Sequence, residues 1–316
     1  YWQSTQDYKY FLTNSKVHFD SSERRRLHSE LWKPWQKLRL FDTDIAMAFL
    51  LPFFSSTGRP ARNQPQILRS FLLFLLLLSE GLAKPSLTLW VKRLKRDRVL
   101  AALIGCSTDS LPPLGSYFDF MDRLWNAPLT DRYSRNKLLP ASWNSKKPDK
   151  PKGKHQKAQE AKPKITEVIE NRLLAGRDIP FNFEERLQRF FYLVAVLPSL
   201  QCGIIPAGHL TVSGDGTSVH THACPFGHHR HGAPDNLRHF PDPDASWGWD
   251  SDLDQYYFGY TLFQLSCHNS RLHSDIPLLL RFTSARRHDS VSFLVAFHEL
   301  EKHMPAVSIE NICLDS

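Results

Sequence analysis

Leu210-Thr211-Val212-Ser213-Gly214-Asp215-Gly216-Thr217-Ser218-Val219 sets one carboxylate between two glycines inside a β-branched and apolar run. Such a run predicts a strand, and the flanking glycines leave room for a ligand to approach Asp215. Ile309 to Leu314 predicts another strand, and it runs straight into Asp315. Between them lie strand patterns at Tyr256 to Cys267 and Ile276 to Thr283. A helical stretch follows from Asp289 to His303, with Val291, Leu294, Val295, His298 and Leu300 on its apolar face. In the order β-β-β-α-β, the last strand is reached through a helix and is expected parallel to its neighbour and central in the sheet. Asp215 and Asp315 would then stand on adjacent strands about 4.8 Å apart. Two carboxylates so placed repel unless a cation separates them, and their hard oxygens suit Mg²⁺, with Mn²⁺ as an alternative. Phosphoryl transfer on two ions requires this arrangement, one ion activating the attacking oxygen and the other stabilising the leaving oxygen. The plainer alternative is that Asp215 caps a turn and Asp315 ends a strand by chance.

Residues 221–255, between the first two strands, form an insertion rich in His and Asp. His220, His222, Cys224, His228, His229, His231 and His239 are possible zinc ligands by type, but their irregular spacing contains no CxxC or HxxxH pair, so a structural zinc is not expected. Trp247 and Trp249 fall on one face of an extended chain. Burial against the sheet is the favoured reading, and stacking on an unpaired base the alternative.

Charge divides the chain. Residues 1–200 hold 33 Lys+Arg against 19 Asp+Glu, whereas residues 201–316 hold 7 against 13. The basic part suits a polyanion, because cations placed near phosphates release condensed counterions. The acidic part suits divalent cations. Helices are expected at Gln66 to Ser79, at Ser86 to Ile104 and at Ser116 to Trp125. The first is apolar nearly all round, and the second turns Lys92, Arg93, Lys95, Arg96 and Arg98 outward. With Arg59 and Arg62 in the preceding turn, this succession resembles a helix-turn-helix unit with a basic face. The lysines of residues 140–165, interleaved with proline, read as a flexible basic linker. The expected organisation is a helical DNA-binding domain at 1–139, the linker at 140–165, and an α/β catalytic domain at 166–316.

The chain has 316 residues with 41% hydrophobic content, enough for two domains, and 23% charged residues, which excludes wholesale disorder. The longest apolar run, Phe71 to Leu78, is too short to span a bilayer. Five scattered cysteines form no disulfide framework, and a cytoplasmic, reducing setting is expected. The chain stops one residue after Asp315 and reads as a fragment.

Asp215-Gly216-Thr217, the Tyr256-Tyr257-Phe258-Gly259-Tyr260-Thr261-Leu262-Phe263 strand, Arg287-His288-Asp289-Ser290 and Leu314-Asp315-Ser316 together resemble the catalytic domain of bacterial insertion-sequence DDE transposases. Gly58-Arg59-Pro60-Ala61 and the helices after it resemble the N-terminal region of such enzymes. The resemblance implies an RNase H-like fold, with Asp215 and Asp315 as the first two acidic residues binding Mg²⁺. It further implies double-stranded DNA as partner, at transposon ends and target, and a homodimer in the synaptic complex. The family's third acid, a helical Glu beyond the second Asp, has no counterpart in the sequence. The expected activity is phosphodiester hydrolysis followed by strand transfer, with this chain, which lacks the third acid, expected to be inactive alone. A structure-specific nuclease on the same fold, or a truncated noncatalytic DNA-binding protein, are the competing readings.

Overall fold

A computed structural model describes residues 2–54, 61–125, 138–143, 165–176, 185–304 and 307–314. The protein is a mixed α/β chain whose main sheet contains both parallel and antiparallel pairs, and it divides into two compact units, residues 1–125 and 126–316.

The first unit is helical among its described residues: α1 (Thr5–Val17), α2 (Ser21–Ser29), α3 (Trp32–Leu40), α4 (Thr43–Leu50), α5 (Gln64–Ser79), α6 (Leu87–Leu94), α7 (Arg98–Leu103) and α8 (Leu114–Leu124). Local capping sets several of these boundaries. Ser4 and Asp20 each close a capping box at the starts of α1 and α2, with Asp7 and Glu23 reaching back to the cap backbone. The expected single helix from Ser86 to Ile104 is two. Asp97 accepts a hydrogen bond from the Leu100 amide and starts α7, so the chain bends between Leu94 and Arg98. A capping Asp inside an amphipathic pattern leaves the periodicity intact while breaking the helix. In α5, apolar nearly all round in sequence, Leu73 and Leu77 are buried but Leu75 remains 56% exposed.

Two polar clusters inside this unit are paired across helices. Ser70 Oγ accepts from Trp90 Nε1 and from the Tyr117 hydroxyl, each at 2.9 Å. Arg69 is fully buried; its guanidinium lies 3.9 Å from the Tyr8 ring centroid and donates to Gln3 Oε1 and Thr43 Oγ1 at 2.6 and 2.9 Å. Burial lowers its pKa to about 10, so the group remains charged at neutral pH. Gly105, at φ +88°, passes so close to Gln3 that a Cβ there would lie 2.4 Å from its Oε1 and tightly against Tyr8 and Arg69.

The second unit contains β1 (Leu138–Pro140), α9 (Ile165–Leu174), α10 (Glu185–Phe191), a π turn at Tyr192–Val196 and α11 (Leu197–Gln201). It continues through β2 (Leu210–His220), β3 (Leu237–His239), β4 (Ser246–Asp250), β5 (Gln255–Asn269), β6 (Ser274–Ser284), α12 (Asp289–His303) and β7 (Ile309–Leu314). Strand β5 is the hub. It pairs antiparallel with β2 along one edge, and on the other edge with β4 near its start and β6 along the rest. Strand β7 lies parallel to β2 with Gly214 opposite Leu314. The parallel return is therefore present, and β2, β5, β6, α12 and β7 follow the expected β-β-β-α-β order once β4, an extra strand from the insertion, is set aside. The central placement is not, since among the described strands β7 is an edge.

One sheet face carries the core, where Val196, Leu210, Val212, Phe263, Leu265, Cys267, Leu279, Ala296 and Leu300 pack together. Full burial of a side chain the size of Leu or Phe contributes about 1.5–3 kcal/mol, so this seam fixes the register of β2 on β5. The small pair β1–β3 ties residues 138–140 to the insertion, which places them in the second unit and not in the N-terminal domain expected to run to residue 139. The insertion itself contributes β4 to the main sheet. There Trp247 and Trp249, both half-buried, meet Phe258 and Tyr256 edge-on at 5.4 and 4.7 Å.

Candidate functional site

Asp215 lies at the middle of β2, and alternation along the strand puts Ser213, Asp215 and Thr217 on the face opposite the core. The register sets Ser266, Gln264 and Leu262 of β5 against them. These six residues, with Asp275, line an open groove of about 220 Å³. Apart from Leu262, the lining offers hydroxyl, amide and carboxylate oxygens and no sulfur or imidazole. Asp215 is exposed, and its Oδ1 accepts from the Gly216 amide at 2.7 Å, which holds the carboxylate against its own strand.

Asp315, the expected partner, lies outside the described residues. The parallel register runs up to Gly214 opposite Leu314, one residue short of Asp215 and Asp315 in each strand. Among the described residues, no group of three or more His, Cys, Asp or Glu is placed to hold a metal ion.

A carboxylate that the sequence pattern did not mark as functional sits on the other side of the same strand. Asp289 opens α12 just after the cap residue His288, whose ring accepts from the Ser290 amide. Its Cγ, Oδ1 and Oδ2 all lie within 3.0 Å of the point where a Cβ on Gly216 would stand. Gly216 therefore serves as a seat for Asp289, beyond leaving space around Asp215. Burial raises the pKa of Asp289, His288 pulls part of the way back, and the charge of Asp215 adds a smaller upward push. In the sequence, Asp289 is legible only as a helix start, because the fold alone brings it to Gly216.

Asp250, at the end of β4, accepts from Ser218 Oγ at 2.8 Å and from the Asp252 and Leu253 amides. These bonds, the Leu253 one first, lower its pKa. They stabilise the turn into β5.

The expected DNA-contacting cations fall into three groups. Lys92, Lys95, Arg96 and Arg62 are exposed. Arg93 donates to the Leu82 carbonyl at 2.5 Å, and Arg98 pairs with Glu23 at 2.7 Å and donates to the His18 carbonyl, so these two hold the helices together in place of standing free. Arg59 and most of the basic 140–165 segment lie outside the described residues.

No family model, curated protein or solved structure matches the chain. Among the described residues no helix is long and apolar enough to cross a membrane.

Proposed function

We propose that the protein is a DNA transposase of the DDE type, with residues 166–316 contributing to an RNase H-like catalytic domain that acts on DNA ends in the cytoplasm. One observation carries the reading. The strand bearing Asp215 is joined in parallel, after three antiparallel strands and a helical crossover, by the strand that leads directly into Asp315. That topology supports a shared site for the two carboxylates, and an oxygen-lined groove already lies open at Asp215.

The groove's donors fit a hard divalent cation such as Mg²⁺ or Mn²⁺. Asp215 and Asp315 are the residues to hold it, and when bound it supplies the charge that activates a nucleophilic oxygen and stabilises the leaving one. The protein's own residues position the strand. Ser213, Thr217, Gln264 and Ser266 offer hydrogen bonds to sugar and phosphate groups laid along the groove, and the core behind the sheet holds Asp215 rigid. Lys92, Lys95, Arg96 and Arg62 supply exposed cations for duplex phosphates.

The test, run with the product of the whole reading frame, is excision of a marker flanked by the DNA that borders the gene, with duplex binding measured in parallel. Asp215→Asn and Asp315→Asn should each abolish strand cleavage and leave binding nearly intact, because each removes an anionic ligand while conserving shape. Normal cleavage by Asp215→Asn would overturn the reading, and binding without any cleavage by the unaltered protein would favour a noncatalytic DNA-binding protein.

A further inference from the structure

We propose that α3 is a second duplex-contacting surface, additional to Lys92, Lys95 and Arg96, on which Lys33, Lys37 and Arg39, with Lys16 from α1, engage the phosphates of DNA. That the polyanion is DNA rests on the proposed transposase reading; the demand for a polyanion does not.

The helix carries three cations and no carboxylate. Pro34, Trp35 and Leu38 are buried on its inner side, whereas Lys33, Gln36, Lys37 and Arg39 are exposed. Lys33 and Lys37 stand four residues apart, a like-charged spacing that destabilises a helix unless an anion lies along it. A second crowding of charge lies on Trp35. The Lys16 ammonium is 3.6 Å from its ring centroid and the Arg39 guanidinium 5.7 Å. Burial first, and then the charge of Arg39, lower the pKa of Lys16. The ring attracts each cation without neutralising either. Helix dipoles favour basic residues in a last turn, where both Lys16 and Arg39 lie. That explains each cation alone, but not two brought from two helices to one indole.

The positive balance is not offset from within. Among the described residues, Lys16, Lys33, Lys37 and Arg39 form no ion pair. The acids nearest in sequence have other partners. Glu30 pairs with Arg26 at 3.4 Å and Glu23 with Arg98 at 2.7 Å, while Asp42 Oδ1 accepts from Thr5 Oγ1 and the Asp44 amide at 2.8 Å, and Asp44 accepts from the Thr5 amide. On α2 the cations are themselves engaged, since Arg24 donates to the Val17 carbonyl at 2.9 Å and Arg26 pairs with Asp97 at 2.8 Å. Lysine and arginine carry their charge at neutral pH, so the surface depends on no titration. From Lys33 to Arg39 it spans about 9 Å of helix, along which a duplex presents a charge about every 1.7 Å. A single small anion cannot meet cations so spread, and a linear polyanion can. An anionic membrane is the competing partner. It is disfavoured because, of the apolar residues on α3, only Leu40 is exposed, which leaves no apolar face to insert.

The experiment measures the affinity of the full chain for a labelled mixed-sequence duplex across a salt series. Replacing Lys33, Lys37 and Arg39 together with Gln should lower the logarithmic slope by about 2 to 3, and Lys37→Gln alone by about 1. Arg24→Gln, which removes an engaged cation, should leave the slope where it is. A footprint on the unaltered chain supplies a readout independent of any variant's folding, in that bound duplex should slow the acetylation of Lys33 and Lys37 severalfold. A slope unchanged by the triple substitution, an equal loss in Arg24→Gln and Lys37→Gln, or acetylation indifferent to duplex would overturn the surface. So would protection of Lys33 and Lys37 by phosphatidylserine vesicles and not by duplex. These readouts follow binding with Asp215 intact. A parent that binds duplex while α3 stays unprotected refutes the surface alone, whereas normal cleavage by Asp215→Asn refutes the transposase reading and leaves the phosphate contacts as measured.

Discussion

At Gly216 a single hydrogen atom in place of a methyl group allows two carboxylates to share one strand. Asp215 faces the groove, and the Asp289 carboxylate occupies the space where a Gly216 side chain would stand, on the opposite face of the strand. Gly216→Ala should push Asp289 off its seat and shift the segment that carries Asp215. Cleavage should therefore fall by about tenfold or more, since displacements of about 1 Å in positioned groups can cost two orders of magnitude. Duplex binding should stay unchanged. Equal cleavage by Gly216→Ala and the parent would show that the contact has no bearing on the site. Asp289 also has a signature in stability. Its pKa is raised in the folded state, so folding binds its proton more tightly, and stability falls as pH rises from the ordinary carboxylate range through the raised value. Asp289→Asn removes that loss. Thermal melts should show the variant at least as stable as the parent at pH 7, with the difference shrinking near pH 4. Asp289 is exposed at the helix start, so solvent screens it and the effect is small.

The elements show what a linear pattern can and cannot carry. The bounds of α12 and β7 follow from the sequence as read, because each is one uninterrupted run of its own pattern, and α12 is bounded by its cap residues. Asp215 on β2 is legible for the same reason, and so is the parallel return of β7. The break between α6 and α7 is not, since Asp97 sits at a position where an outward polar residue also satisfies a continuous helix. Nor does periodicity separate an exposed cation from an engaged one. Lys92 and Arg93 are adjacent in sequence, yet Arg93 is spent on the Leu82 carbonyl and Arg98 on Glu23. Asp97 is the element-scale test, because it caps α7 and also pairs with Arg26 at 2.8 Å. Asp97→Ala should lower unfolding free energy by about 1–2 kcal/mol, in the range of a lost cap. Urea denaturation of the full chain measures it, and an unchanged midpoint would mean that the α6–α7 bend is held by packing alone. Arg98→Gln should likewise cost stability more than DNA affinity, the reverse of Lys95→Gln.

Across the whole molecule, charge and chemistry are divided. The excess of Lys and Arg lies in residues 1–200, and the carboxylates of the groove and of α12 lie in a stretch where Asp and Glu outnumber cations 13 to 7. An acidic surface repels a duplex, so under the proposed action on DNA the affinity comes from the basic part, and a cation at Asp215 would relieve the repulsion locally. Two dependences should therefore separate. Duplex affinity should fall steeply with salt, with a logarithmic slope of about 0.9 per phosphate neutralised. Replacing Lys92, Lys95 and Arg96 together with Gln should reduce that slope by about 2 to 3 and weaken binding to all sequences alike, because phosphate contacts carry no base information. Asp215→Asn should leave the slope where it is. Fluorescence anisotropy across a salt series, on the full chain and on both variants, measures all three slopes. A loss confined to one DNA sequence would instead place Lys92, Lys95 and Arg96 at base edges. A slope unchanged by the triple substitution would move the duplex interface off the α6–α7 face altogether.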